Sequence, residues 1–259
     1  MRQQTGYDQV FSSGGGTQSA CIAAMICNGD LPKPGYSIIA DTGYELSTTW
    51  EYHDQVVYPA LKKSGVELIR VRAKDYATVE LYGGKNGDSL LIPAFTTESG
   101  EVGKLPAYCS NEWKQRVIQR WLREQGVKKA PIWLGYSIDE RHRIRVKEGN
   151  WINAWPLIEK RFNRQNSINY VKEIGWPEPP RSACWMCPNR NLREWADQKE
   201  NNPEDFKKAV NFENAIQRKD PDVWLTEKAQ PLGEISFVNG SDGQDDLFES
   251  HCPNTGCFT

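Results

Sequence analysis

Apolar and polar positions along this chain follow two different periods. Short apolar runs at 7–11, 36–40, 66–71 and 131–137 each end in a polar or glycine-containing turn, the pattern of strands buried on both faces. Between them, 19–27, 46–64 and 110–125 show helical spacing. Pro59 is expected to break the second of these, and Ser110 to cap the third. A short fifth strand is predicted at 153–158 and a helix near 167–173. Further helices with polar faces are predicted at 192–199 and 203–218. Residues 74–108, with Gly83, Gly84, Gly87, Gly100 and Gly103, read as a long irregular excursion containing a hairpin. Strands alternating with helices predict an α/β fold, a doubly wound and mostly parallel sheet of Rossmann-like type. The expected organisation is an α/β domain over 1–160, with a helical, cysteine-containing elaboration over 161–259 packed on the same domain.

The ends of the first two strands change the picture from fold to chemistry. The first run leads into Ser12-Ser13-Gly14-Gly15-Gly16-Thr17-Gln18-Ser19, and the second into Asp41-Thr42-Gly43-Tyr44-Glu45. Glycines at a strand end let backbone approach a phosphate, and the following helix N-terminus favours its charge. Two consecutive parallel strands bring both turns to the carboxyl edge of the sheet, where open α/β sheets bind nucleotides. No lysine follows the glycines, which excludes the ATP loop that ends in Gly-Lys-Ser/Thr.

Composition narrows the class. The chain has 259 residues and a formal net charge of −2, so the whole surface is not that of a generic polyanion binder. No apolar run is long enough to span a bilayer, no signal-like segment opens the sequence, and a cytosolic protein is expected. Seven cysteines then predict reduced thiols or metal ligands rather than a disulfide frame. Cys184-Trp185-Met186-Cys187-Pro188 points two sulfurs at one centre. Cys109, Cys252 and Cys257 are candidates to complete a tetrahedral site for zinc or iron–sulfur. The plainer alternative is a redox or structural cysteine pair. Cys21 and Cys27, in the first helix, read as packing residues.

The glycine loop and the Asp-Thr-Gly turn resemble those of the phosphoadenosine phosphosulfate reductase-like family of the adenine nucleotide α-hydrolase, or pyrophosphate-loop, superfamily. The loop departs from the family's Ser-Gly-Gly-x-Asp-Ser, with Gly14 at the first serine and Gln18 at the aspartate. Gly135-Tyr136-Ser137-Ile138-Asp139-Glu140-Arg141-His142-Arg143 resembles the family segment whose arginine faces phosphate or sulfate. Lys114 matches the lysine of its Cys-x-x-x-x-Lys stretch. The resemblance implies ATP or an adenosine phosphosulfate-type nucleotide, with Mg as a candidate ion. Ser12, Ser13, Gly14, Gly15, Gly16, Gln18, Ser19, Asp41, Thr42, Gly43, Glu45 and Gly135 would bind the nucleotide, and Lys114 and Arg143 would meet its anion.

The resemblance further implies a 4Fe-4S cluster, with zinc as the alternative, on Cys109, Cys184, Cys187 and Cys252. Cys257 would remain as a mobile catalytic thiol. Three functions follow from it. One is ATP-dependent activation with sulfur transfer to a nucleobase or nucleic acid. Another is reduction of an adenylated sulfate through a cysteine nucleophile and a thioredoxin-like partner. The third is nucleotide or nucleic-acid binding without catalysis. The sulfur donor and acceptor, and the oligomeric state, are left open.

Overall fold

In the computed structural model the described residues are 9–82, 90–144, 146 and 149–237. They divide into two compact units, both discontinuous in sequence: 9–77 with 111–183, and 78–110 with the segment from 184 onward. The division differs from a break near 160. The excursion at 78–110 clusters with the C-terminal helices because one of its strands pairs with a strand beyond residue 220.

The strands are β1 (Val10–Ser13), β2 (Tyr36–Asp41), β3 (Leu68–Arg72), β4 (Phe95–Thr96), β5 (Gly103–Lys104), β6 (Ala130–Leu134), β7 (Trp151–Ala154) and β8 (Val223–Trp224). The helices are α1 (Thr17–Asn28), α2 (Ser47–Tyr52), α3 (Tyr58–Lys63), α4 (Ala73–Tyr76), α5 (Arg116–Glu124), α6 (Pro156–Glu159), α7 (Arg164–Glu173), α8 (Leu192–Asn201) and α9 (Pro203–Gln217). The first unit holds an all-parallel sheet of order β3-β2-β1-β6-β7. Successive strands run outward from β1 to one side and from β6 to the other. The order therefore reverses between these two strands, the place where open sheets form a crevice. Helices α1, α3 and α7 pack together and α5 packs on β2 and β3. The apolar interior is built from Phe11, Ile22, Met25, Ile26, Ile39, Leu61, Leu68, Trp133, Leu157 and Val171. The α/β, parallel-sheet expectation holds.

Three local expectations shift. The 46–64 helix is not broken at Pro59. Helix α2 passes through a π turn, His53–Val57, into α3, whose first turn contains Pro59. A π turn already interrupts the regular ladder, so a residue with no N–H is tolerated there. The helix starting at Ser110 likewise opens with a π turn, Asn111–Gln115, which carries Lys114. The fifth strand lies at Trp151–Ala154, two residues early, because Pro156 starts the helical turn α6.

In the second unit, β4 pairs antiparallel with β5 and with β8, and α8 and α9 pack together. Trp195, Phe206, Ala209, Ile216, Leu225 and Leu232 are buried. The buried Glu213 carboxylate accepts from the N–H groups of Leu225 (2.8 Å) and Leu232 (2.5 Å), tying the chain beyond β8 to α9. Burial raises its pKa and the two N–H groups oppose that rise.

Candidate functional site

Residues 13–19 form a compact turn held by its own hydroxyls. The Gly14 N–H donates to Ser19 Oγ (2.8 Å) and the Gly15 N–H to Ser13 Oγ (3.3 Å). Gly15 has φ +83°, and a Cβ there would lie 3.0 Å from Thr49 Cγ2. At Gly16 a Cβ would lie 3.0 Å from Ser182 Cβ, and the Ser182 hydroxyl donates to the Gly14 carbonyl (2.5 Å). The turn runs into α1, whose N-cap is Gly16. No side chain caps that N-terminus and no acidic residue lies in its first turn, an end suited to an anion. Gly135, just after β6, is pressed against the same turn: a Cβ there would sit 2.9 Å from Ser19 Oγ.

The second turn is fixed as firmly. Asp41 Oδ1 accepts from the Gly43 N–H (2.9 Å), and Oδ2 accepts from Arg70 Nε (2.9 Å) with an ion pair of 2.8 Å. Asp41 therefore shapes the turn and anchors Arg70, which stacks 3.5 Å over the Trp50 ring. Thr42 Oγ1 accepts from the Tyr44 N–H (3.2 Å) and donates to Glu45 Oε1 (3.4 Å). Glu45, its side chain 3% exposed, pairs at 2.8 Å with Lys114 Nζ. Tyr44 packs on Trp113 from the same π turn, ring centroids 5.6 Å apart.

These parts border an open cleft at the carboxyl ends of β1, β2 and β6. Ser12, Ser13 and Gly14 lie on one side, Ile39, Ala40, Glu45 and Thr49 on another, Lys114, Gln115 and Ile118 on a third, and Leu134, Gly135 and Tyr136 close it. Thr49 and Thr17 are buried, and their hydroxyls have no hydrogen-bond partner among the described residues. Below Thr49, the buried His53 bonds through Nδ1 to the Thr49 carbonyl (3.0 Å), and burial lowers its pKa. A carbonyl only accepts, so the neutral ring carries its proton on Nδ1.

Ser12–Gly14, Glu45, Lys114 and Gly135 thus meet in one cleft. Arg143 does not line it. Its guanidinium pairs with Glu140 and lies 5.1 Å from the ring centroid of Tyr136, which does. Gln18 does not line it either, and donates to Glu140 Oε2 (3.1 Å). Ser182 is a neighbour of the site that no motif marks, and Tyr136 lies in the segment after β6 but is not among the residues its motif assigns to the site. The bond from Ser182 to Gly14 spans 168 residues of sequence.

Cys109, Cys184 and Cys187 belong to the second unit. The Cys187 N–H donates to the Cys184 carbonyl (3.0 Å), Arg190 donates to the same carbonyl (3.1 Å), and Gln198 holds the Trp185 carbonyl (2.9 Å). Met186, between the two cysteines, is buried. Among the described residues no group of three or more Cys, His, Asp or Glu is gathered as a metal site. The described thiols by themselves do not fit a four-cysteine centre. Cys252 and Cys257 lie outside the described residues. Cys21 is buried and its pKa is raised to about 12, as suits a packing residue. No described helix is long and apolar enough to cross a membrane.

Two enzymes are among the solved structures similar to this chain. One is the phosphoadenylyl-sulfate reductase of Candida auris in a phosphate complex, at 19% identity and a TM-score of 0.44, covering 67% of this chain and 76% of that one. The other is the U34-tRNA thiolase NcsA of Methanococcus maripaludis with its 4Fe-4S cluster, at 14% identity and a TM-score of 0.46, covering 83% and 74%. No family model and no curated protein matches the sequence.

Proposed function

We propose that the cleft binds an adenine nucleotide and that the chain is a pyrophosphate-loop enzyme acting at the nucleotide's α-phosphate. The observation that carries this reading is the cleft itself. A glycine turn with an uncapped helix N-terminus stands on one side, and a lysine held on a buried carboxylate stands on the other, both at the carboxyl edge of a parallel sheet. The Gly14–Ser19 turn would take the phosphates and Lys114 would meet their charge. The finer reaction in this reading is activation followed by sulfur transfer. An oxygen of the acceptor, a nucleobase or nucleic acid, attacks the α-phosphorus and pyrophosphate leaves. A sulfur nucleophile then displaces the adenylated oxygen as AMP.

The test is product identity. The full chain, purified without oxygen, is given ATP, a hydrosulfide source and bulk host RNA. AMP and pyrophosphate should accumulate, and Lys114→Met should lower their rate at least tenfold. ADP and phosphate as products, or no ATP binding by calorimetry, would reject the reading.

A further inference from the structure

We infer that Glu140 is a positioning residue, a latch that sets Arg143 at the rim of the nucleotide cleft and locks the first turn of α1 to the segment after β6. This rests on the reading of the cleft as a nucleotide site. Two of the Glu140 contacts lie within its own turn, the capping box with Ser137 and the i,i+3 pair with Arg143, and the third reaches α1. Oε2 accepts from Gln18 Nε2 (3.1 Å), one residue inside α1, and from the Ser137 N–H (3.4 Å). Oε1 pairs with Arg143. Glu140 and Arg143 are both mostly shielded, with side chains 17% and 18% exposed, so their attraction is less screened than that of a surface pair.

The latch closes on the segment that already touches the phosphate turn. Gly135 presses on Ser19, whose hydroxyl holds the Gly14 N–H, and Tyr136 both lines the cleft and carries the Arg143 guanidinium against its ring. A guanidinium carries its N–H donors in a fixed planar fork, so a carboxylate that grips one edge fixes the direction of the whole group. Gln18 suits this arrangement because an amide N–H₂ donates to Glu140. A carboxylate at position 18 would set two negative charges together. The latch therefore gives a physical reason why residue 18 is an amide in this chain.

The competing role for Glu140 is a plain counter-ion, a negative charge that weakens anion binding. The two roles predict opposite signs. ATP affinity is measured by calorimetry on the full chain for wild type, Glu140→Gln, Arg143→Ala and the double variant. Positioning predicts that Glu140→Gln weakens ATP binding about tenfold in wild type and changes it less than twofold when Arg143 is already alanine. Tighter binding by Glu140→Gln, or an equal loss in both backgrounds, overturns the proposal.

A second readout needs no ligand. Gln18→Glu should lower the melting temperature, and the exchange Gln18→Glu with Glu140→Gln should recover most of the loss. Additive losses in the exchange variant overturn the latch. Absence of ATP binding in wild type would reject the nucleotide reading, while the melting series would still decide whether the latch exists.

Discussion

Gly15 is the position where conformation and space act together. Its φ of +83° costs an L-residue about 1–2 kcal/mol. A methyl group there would also press on Thr49 Cγ2 at 3.0 Å and Ser182 Oγ at 3.3 Å. Gly15→Ala should thus destabilise the chain by about 2 kcal/mol in urea denaturation, a loss of stability as well as of any phosphate site. His53 supplies the pH dependence. Its folded pKa lies below the ordinary histidine value of about 6.5, because burial disfavours the imidazolium. The unfolded chain therefore takes up the proton more readily. Stability is full above about pH 6.5 and falls as pH drops below it. The urea midpoint of wild type should decline from pH 7.5 to pH 5, and that of His53→Gln should decline less. At this scale the sequence reads unevenly. The glycine turn and the Cys184–Cys187 turn are legible because their chemistry is local, whereas Lys114 stands out only through the family resemblance. The bonds from Ser182 to Gly14 and from Gln18 to Glu140 are tertiary contacts with no local signature.

Helix ends carry a second kind of information. At the end of α6 the Phe162 N–H reaches back to the Leu157 carbonyl (2.8 Å), which places Arg161 in the left-handed position usually taken by glycine, with φ +59°. Arg161→Gly should raise stability by about 0.5–1 kcal/mol, read as a higher melting temperature. An unchanged or lower value would mean that the arginine side chain compensates for its backbone. The same segment shows why element boundaries read less well than element types. Pro156 and Pro59 each mark a local irregularity, but whether it is a helix start or a break depends on the neighbouring hydrogen bonds. The strands were legible for the opposite reason. A parallel sheet covered on both faces favours apolar runs, and these stand out at β1, β2 and β6, while the edge strand β3 is interrupted by the exposed Arg70 and Arg72.

Across the whole molecule, the two chemistries suggested by the sequence belong to different units: the nucleotide turn to the first, and Cys109, Cys184 and Cys187 to the second. The four-cysteine centre expected on Cys109, Cys184, Cys187 and Cys252 is tested at its last ligand, which lies outside the described residues. Cys252→Ser should empty the anaerobically purified chain of iron, while Cys257→Ser should keep it. Loss of iron in Cys257→Ser instead would exchange the two roles. The interleaving of the units also sets an order of events during synthesis. Strand β4 meets β5 almost at once, but its other edge waits for β8, with Phe95 opposite Trp224. By then residues 111–183 have left the ribosome, and the five-stranded sheet can close first. The 78–110 segment is meanwhile a nascent loop with an open strand edge, the kind of surface that invites wrong pairing. A chain stopped after Ala183 should show protease cuts concentrated in 90–110, while the full chain resists there. For this protein, the strand at Val223–Trp224 completes, late, a piece of structure begun long before.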